Sequence, residues 1–134
     1  MEVAAVLAVL AVASWAAVAP ARSVADATRL FSAREIVVRG IARGRMAAVA
    51  AGGGTVTVLT EPPRIRVTAG GGVVHDALIG DGRTSLLLSG ARDSLSLRFD
   101  GLGIGRFASA SIGLRRGERD VGVVLSSYGR VRRR

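Results

Sequence analysis

The sequence predicts an α+β fold in which one long N-terminal helix packs on an antiparallel β-sheet. Residues 3–19 carry no charged side chain, and residues 21–50 space their apolar side chains as an amphipathic helix does. From Thr55 onward the apolar residues recur with a period of two, as in half-buried strands. The chain has 134 residues, enough for one small domain besides the apolar helix. We therefore divide it into an apolar helix over residues 1–20 and a domain over residues 21–134.

The apolar segment begins directly after Glu2 and ends before Pro20. As a helix it would measure about 26 Å, at the short end of what crosses a hydrocarbon core of about 30 Å. A secretory signal peptide has a similar length, but it requires a basic start, and cleavage here would fall directly before Pro20. A core helix that is apolar on every face would need a larger protein around it. A single-pass membrane anchor fits, but it leaves the acid at the head of the helix unexplained.

Residues 21–50 are predicted to continue this helix with one apolar and one charged face. The apolar stripe consists of Val24, Ala27, Phe31, Val38 and Ile41, with Leu30 and Val37 beside it. Pro20 is expected to kink or loosen the helix without ending it. Gly40 and Gly44 are expected to weaken its far end, and the glycines at 52–54 to stop it.

Residues 55–128 are predicted to form short antiparallel strands. Glycine, proline and aspartate separate the alternating segments, which is typical of hairpin turns. Strands so close in sequence indicate a meander. The predicted strands cover residues 55–60, 64–68, 72–77, 85–89, 94–99, 110–115 and 121–126.

The composition offers little for catalysis. The chain has no cysteine, which excludes disulfides, thiolate metal sites and thiol nucleophiles. His75 is the only histidine and is interpreted as structural, since no cysteine or acidic cluster accompanies it. The glycines at 101, 103 and 105 follow a strand without a helix behind them, so they indicate bends and not a phosphate loop. We therefore expect no enzymatic activity, no cofactor and no metal.

Two stretches of the sequence resemble a known family. The first is EVAAVLAVLA from Glu2, an acid leading into a helix rich in valine, leucine and alanine. The second runs from Phe99-Asp100-Gly101 through the strands near 111–114 and 123–126 to Gly129-Arg130-Val131-Arg132. With the architecture predicted above, the chain resembles the type IV pilins and type II secretion pseudopilins. The second stretch is similar to the GspH/FimT-type minor pseudopilins.

The resemblance implies a subunit of a short periplasmic filament that supports protein secretion. The helix over residues 1–20 would be stored in the inner membrane and later enter the filament core, with the C-terminal domain in the periplasm. The partners would be other pilins or pseudopilins. Glu2 would set the register of assembly by facing the N-terminal amine of an adjacent subunit.

Family precursors also carry a short basic leader that ends in glycine and is cleaved before a residue that becomes N-methylated. Met1 stands at the position of that residue, so we expect the reading frame to extend upstream to such a junction. The positive-inside rule applied to the printed residues alone would place the arginines in the cytoplasm. A basic leader would reverse that preference.

The C-terminal residues 129–134 suggest an alternative function. All 19 basic residues are arginines and the net charge is +9, and four of the arginines lie in the last five positions. At an end expected to be mobile, arginines can bind phosphates and an aromatic ring can stack on a base. FimT-like minor pilins linked to DNA uptake carry a similar Gly-Arg-x-Arg tail. The DNA-binding residues would be Tyr128, Arg130, Arg132, Arg133 and Arg134, whereas a solvated charge cluster or a contact with anionic lipid would explain the same residues.

Overall fold

A computed structural model describes residues 2–134, without the side chains of Glu2, Ala16, Ala17 and Ala19. The predicted α+β class is confirmed, since one 50-residue helix packs on antiparallel strands. The helix α1 spans Glu2–Ala51 and continues through Pro20. The strands are β1 (Gly53–Thr60), β2 (Pro63–Ala69), β3 (Gly72–Leu78), β4 (Ser85–Leu88), β5 (Ser94–Asp100), β6 (Ala110–Arg116), β7 (Arg119–Leu125) and β8 (Val131–Arg133).

The strands form two four-stranded sheets, and the predicted meander is wrong in this respect. The first sheet has the order β3-β2-β1-β5 and the second the order β4-β6-β7-β8. Every pairing is antiparallel. After β3 the chain leaves the first sheet, so that β4 pairs with β6 in the second sheet, and it then returns to the first sheet, where β5 pairs with β1. The length of the helix gives the physical reason. Residues 23–51 extend about 44 Å, whereas a strand of seven residues covers about 23 Å.

The two sheets therefore cover successive parts of the helix. The first sheet lies along its C-terminal part, where Gly54 of β1 lies against Ala48 and Ile65 of β2 lies against Gly40. The second sheet reaches its middle, where Arg119 of β7 contacts Ser23. The core between helix and sheets is formed by alternate strand residues: Val56, Val58, Ile65, Val67, Leu97, Phe99, Ile112, Leu114, Val123 and Leu125.

The buried face of α1 differs from the predicted apolar stripe. Val24 and Phe31 are 66% and 47% exposed and do not face the sheets. The buried positions instead recur at three and four residues through Leu30, Ala33, Val37, Gly40, Ile41, Gly44 and Ala48. Small residues bring the helix close to the sheet: a Cβ atom on Gly44 would overlap Val56. The glycines expected to weaken the helix therefore serve its packing.

A loop after β5 links the two sheets. The Asp100 carboxylate accepts hydrogen bonds from the backbone N–H groups of Leu102 (3.0 Å) and Ile104 (2.9 Å), and from Arg106 Nε (3.0 Å). These bonds, that of Ile104 above all, lower the pKa of Asp100. The loop then runs to Gly105, whose N–H donates to the carbonyl of Tyr128 at 3.2 Å. The glycines of this region thus serve a bend, as the sequence indicated.

Candidate functional surfaces on the helix and the C-terminal strand

The N-terminal part of α1 projects from the domain as an exposed apolar rod. The first side chain of α1 that bonds to the strands is Ser23, whose hydroxyl accepts a hydrogen bond from Arg119 Nη2 at 2.8 Å. Ser14, the one hydroxyl of the apolar segment, donates to the carbonyl of Leu10 at 2.7 Å, so it is satisfied within the helix. Large side chains with exposed fractions of 44–86% cover the rod: Val3, Val6, Leu7, Val9, Leu10, Val12, Trp15 and Val18.

This rod is long and apolar enough to cross a membrane. It could therefore serve as a single membrane anchor. Glu2 is the first residue of α1, and its side chain lies outside the described part of the structure. The assembly role of Glu2 and the boundary at residue 20 stay predictions.

An exposed apolar line continues from the rod along the outer side of the helix. Val24 and Phe31 are exposed and seven residues apart, and Arg34 lies 5.1 Å from the centre of the Phe31 ring. Further along, Met46 is 72% exposed. Residues seven apart lie on nearly one line of a helix, with a drift of about 20° per heptad. The predicted stripe is therefore divided: Val24 and Phe31 face away from the sheets, whereas Ile41 is buried against them, as are Leu30 and Val37 beside it.

A buried arginine fixes the helix to the second sheet. The side chain of Arg116 is 3% exposed, and its Nε donates to Asp26 Oδ1 of α1 at 2.7 Å. Its Nη1 donates to Asp81 in the loop between β3 and β4, which also lies 3.6 Å from Arg29. The hydrogen bond from Arg116 lowers the pKa of Asp81 to about 2, and the same contact raises the pKa of Arg116. No local pattern in the sequence indicates this cluster, because its members are up to 90 residues apart.

The C-terminal residues are not a mobile tail, contrary to expectation. Residues 131–133 form β8, which pairs with β7. Arg134 and Gly122 exchange two backbone hydrogen bonds of 2.8 Å. The segment was missed because three residues, two of them arginine, are too few to show alternation.

The four predicted C-terminal arginines do not form one cluster. Arg133 Nε and Nη2 donate to the two carboxylate oxygens of Glu35 on α1, at 2.8 and 3.0 Å. This bidentate bond lowers the pKa of Glu35 and raises that of Arg133. Arg132 is opposite Val124 in the β7–β8 pairing, on the other face of the sheet, and is exposed. Arg133 is thus held by an acid, while Arg132 is free to contact a ligand.

Tyr128 and Arg130 border a groove between the helix and the start of β8. The groove has a volume of about 640 Å³, and Tyr128 is 75% exposed. Arg45, on the same helix face as Val38 and Ala42, also lines it and was not predicted. Sequence reasoning could not find Arg45, because nothing local indicates that the chain end folds back onto α1. The full lining comprises Val38, Ile41, Ala42, Arg45, Met46, Tyr128, Gly129, Arg130 and Val131.

The two halves of the second sequence motif meet in space. Gly129 has a φ of +85°, and a Cβ atom there would lie 2.8 Å from the Phe99 ring. Phe99 also makes an edge contact with Phe107, with 5.6 Å between ring centres. The motif is therefore a packing unit that joins the loop after β5 to the turn before β8.

His75 lies on β3, and its Nδ1 is 3.0 Å from Nη1 of Arg43 on α1. Among the side chains that the structure describes, no three His, Asp or Glu groups lie close enough together to hold a metal ion.

Comparison with known proteins identifies one fold. No protein-family model and no curated protein sequence matches the chain. Among solved structures, the chain is similar to the type IV minor pilin FimU of Pseudomonas aeruginosa, with a TM-score of 0.65 and 13% sequence identity. The match covers 81% of this chain and 90% of that one. The chain therefore has a pilin-like fold, as the resemblance implied.

Proposed function

We propose that the chain is a non-enzymatic minor pseudopilin, a subunit of a short periplasmic filament in a type II secretion or type IV pilus-like system. The observation that carries this proposal is the exposed apolar rod on a pilin-like fold. Side chains such as Val3, Leu7 and Leu10 have no partner within the described chain, and so large an apolar surface requires a membrane or another protein. The packing of Phe99 on Gly129 further supports a GspH/FimT-type subunit, whose closing motif these residues resemble.

In this proposal the rod has two successive environments. It anchors the subunit in the inner membrane by a single pass, with the domain in the periplasm, and then packs against the rods of other pilins or pseudopilins. Both environments replace water around the apolar side chains, at about 25 cal/mol for each Å² removed from water. The exposed line through Val24 and Phe31 extends the contact surface beyond the membrane segment. Glu2 selects the register, because an acid entering an apolar core is tolerated only when it faces a positive group.

The proposal is tested by separating membrane insertion from assembly. Because the chain has no cysteine, Leu10→Cys supplies a single site for cross-linking on the rod. In native cells, we expect Glu2→Ala in this background to reach the membrane normally, but to cross-link to other pilin-like subunits at least about tenfold less. The matched control is Glu61→Ala, at an exposed acid of the β1–β2 turn. Equal cross-linking by the Glu2 variant and the control would overturn the assembly role.

A second candidate function is DNA binding by the C-terminal residues. The observation that favours it is the position of exposed Tyr128 beside Arg130 and Arg45 at one groove. An aromatic ring that shares a groove with two arginines can stack a base while the cations contact phosphates. We leave Arg133 out of this proposed site, because its Nε and Nη2 already donate to Glu35.

Salt dependence of DNA binding by the full chain in detergent tests this candidate. Replacing Arg45, Arg130 and Arg132 with alanine should weaken binding at least about tenfold and flatten the salt slope by nearly three. Replacing Arg64, Arg92 and Arg98 removes the same charge elsewhere and should have a smaller effect. If the two triple variants lost DNA affinity equally, net charge would explain the binding, and a dedicated site would be rejected.

A further inference from the structure

The end of the domain nearest the rod carries an unusual set of unpaired arginines. It is built from the β6–β7 turn at 116–119 and the loop at 80–83, which the Arg116 cluster ties to the helix. Arg22, Arg83 and Arg119 lie at this end and are exposed. None of the carboxylates described in the structure lies within ion-pair distance of these three side chains.

The helix sets the height of these arginines above the apolar rod. Arg22 follows the last residue of the apolar segment, Ala19, by three positions, or about 4.5 Å along the axis. Arg119 Nη2 is 2.8 Å from Ser23 Oγ, so its guanidinium lies about 6 Å beyond the same point. The headgroup layer on each side of a bilayer is about 5–8 Å thick. When the rod crosses a membrane, Arg22 and Arg119 therefore lie at headgroup depth.

We propose that this end of the domain binds anionic lipid headgroups through Arg22, Arg83 and Arg119. The inference rests on the membrane anchor proposed above. The charge of the surface supports it: Arg116 and Arg29 together balance Asp26 and Asp81, and Arg115 is opposite Asp120 in the β6–β7 pairing. Glu118 is the remaining acid of the turn.

Anionic headgroups fit this surface better than neutral ones. The lipid phosphate accepts two hydrogen bonds from a planar guanidinium group, and an anionic lipid adds net attraction at short range. Arg119 already donates to a neutral hydroxyl, which orients the side chain without neutralising it. The contact would fix the tilt of the domain against the bilayer while the subunit is stored there.

Amide hydrogen exchange of the full chain in lipid nanodiscs tests the inference. One set of discs contains phosphatidylcholine alone, and the other contains about one third phosphatidylglycerol. With the anionic lipid, we expect exchange at residues 80–84 and 116–120 to slow at least about fivefold, and to recover in high salt, which screens surface charges. Exchange at residues 101–106, at the opposite end of the domain, should not change.

Paired variants separate charge recognition from structure. Arg83→Ala with Arg119→Ala should abolish the slowing, and Arg83→Lys with Arg119→Lys should keep most of it. The matched control is Arg45→Ala with Arg98→Ala, which removes two exposed arginines far from the rod. A chain that fails to enter phosphatidylcholine discs would overturn the anchor and this inference with it. If the chain entered both kinds of disc and its amides exchanged equally in both, the headgroup contact alone would be overturned. The same would follow if the control pair lost the slowing of amide exchange with the anionic lipid.

Discussion

At the residue scale, Gly129 is constrained by its backbone and by its neighbour at once. Its φ of +85° disfavours any side chain, and a Cβ atom would lie 2.8 Å from the Phe99 ring. We expect Gly129→Ala to lower the free energy of unfolding by about 2–4 kcal/mol, combining left-handed strain with overpacking. Gly117 has a φ of +59° with nothing within 4 Å of a Cβ atom, so Gly117→Ala should cost only about 1–2 kcal/mol. Denaturant unfolding measures the free energy of unfolding of both variants. If both lost the same amount, the contact with Phe99 would not contribute to the cost at Gly129.

The ion pair of Asp81 is expected to make the stability of the fold depend on pH. Arg116 lowers the pKa of Asp81 from 3.8 to about 2, so the folded state binds this proton less readily than the unfolded chain does. The stabilisation is therefore complete above about pH 4 and is lost as the pH falls towards 2. Thermal melts between pH 6 and 2 should show a steeper loss for the wild type than for Asp81→Asn, with the two curves converging at the acid end. Asp93→Asn, at a side chain without an ion pair, should follow the wild type, and parallel curves for Asp81→Asn would contradict the linkage.

At the element scale, the contact of α1 with β1 depends on a missing side chain. Alanine at position 44 favours a helix by about 1 kcal/mol over glycine, but its Cβ would overlap Val56 at a cost of about 1–3 kcal/mol. We expect Gly44→Ala to destabilise the protein by up to about 2 kcal/mol net. In a Val56→Ala background the same change should cost at least about 1 kcal/mol less, because the second variant vacates the space. Ala42→Gly, at an exposed position of the same helix, measures the effect of helix propensity alone. If the stability losses of the Gly44 and Val56 variants simply added in the double variant, the overlap between the new Cβ atom and Val56 would be refuted.

The elements also show what local sequence can predict. The α+β class and seven strands followed from period alone, since alternation such as Leu95-Ser96-Leu97 reflects a half-buried strand directly. The split into two sheets did not, because the choice of β6 and not β5 as partner for β4 depends on covering a long helix. The buried stripe of α1 was predicted only in part. Leu30, Val37 and Ile41 are buried, but Ala33, Gly40 and Gly44 are buried for their small size, which a pattern of large apolar residues overlooks.

At the scale of the whole molecule, the candidate surfaces were predictable to different degrees. The rod followed from composition, since seventeen uncharged residues need no tertiary context to be recognised. The C-terminal arginines were predicted to form one group on a mobile tail, whereas the structure separates them on a strand. Their separation results from strand alternation and from Glu35, which is 98 positions from Arg133 in sequence. Arg45 and Arg116 were missed for the same reason, because the groove and the buried cluster in which they lie form only once distant segments have packed.

The domain is expected to fold without the rod. Side chains from Val3 to Val18 are exposed where described, and bonding to the strands begins at Ser23 and Asp26. A chain beginning at Arg22 should therefore be monomeric without detergent and melt within a few degrees of the full chain in detergent. A chain beginning at Phe31 loses Leu30, which is 1% exposed, and the Asp26–Arg116 bond, so it should lose at least about 2–5 kcal/mol of stability. Gel filtration and thermal melting measure both. A fragment from Arg22 that unfolds or aggregates would show that the rod contributes to folding and would refute the separation of an assembly element from a self-sufficient domain.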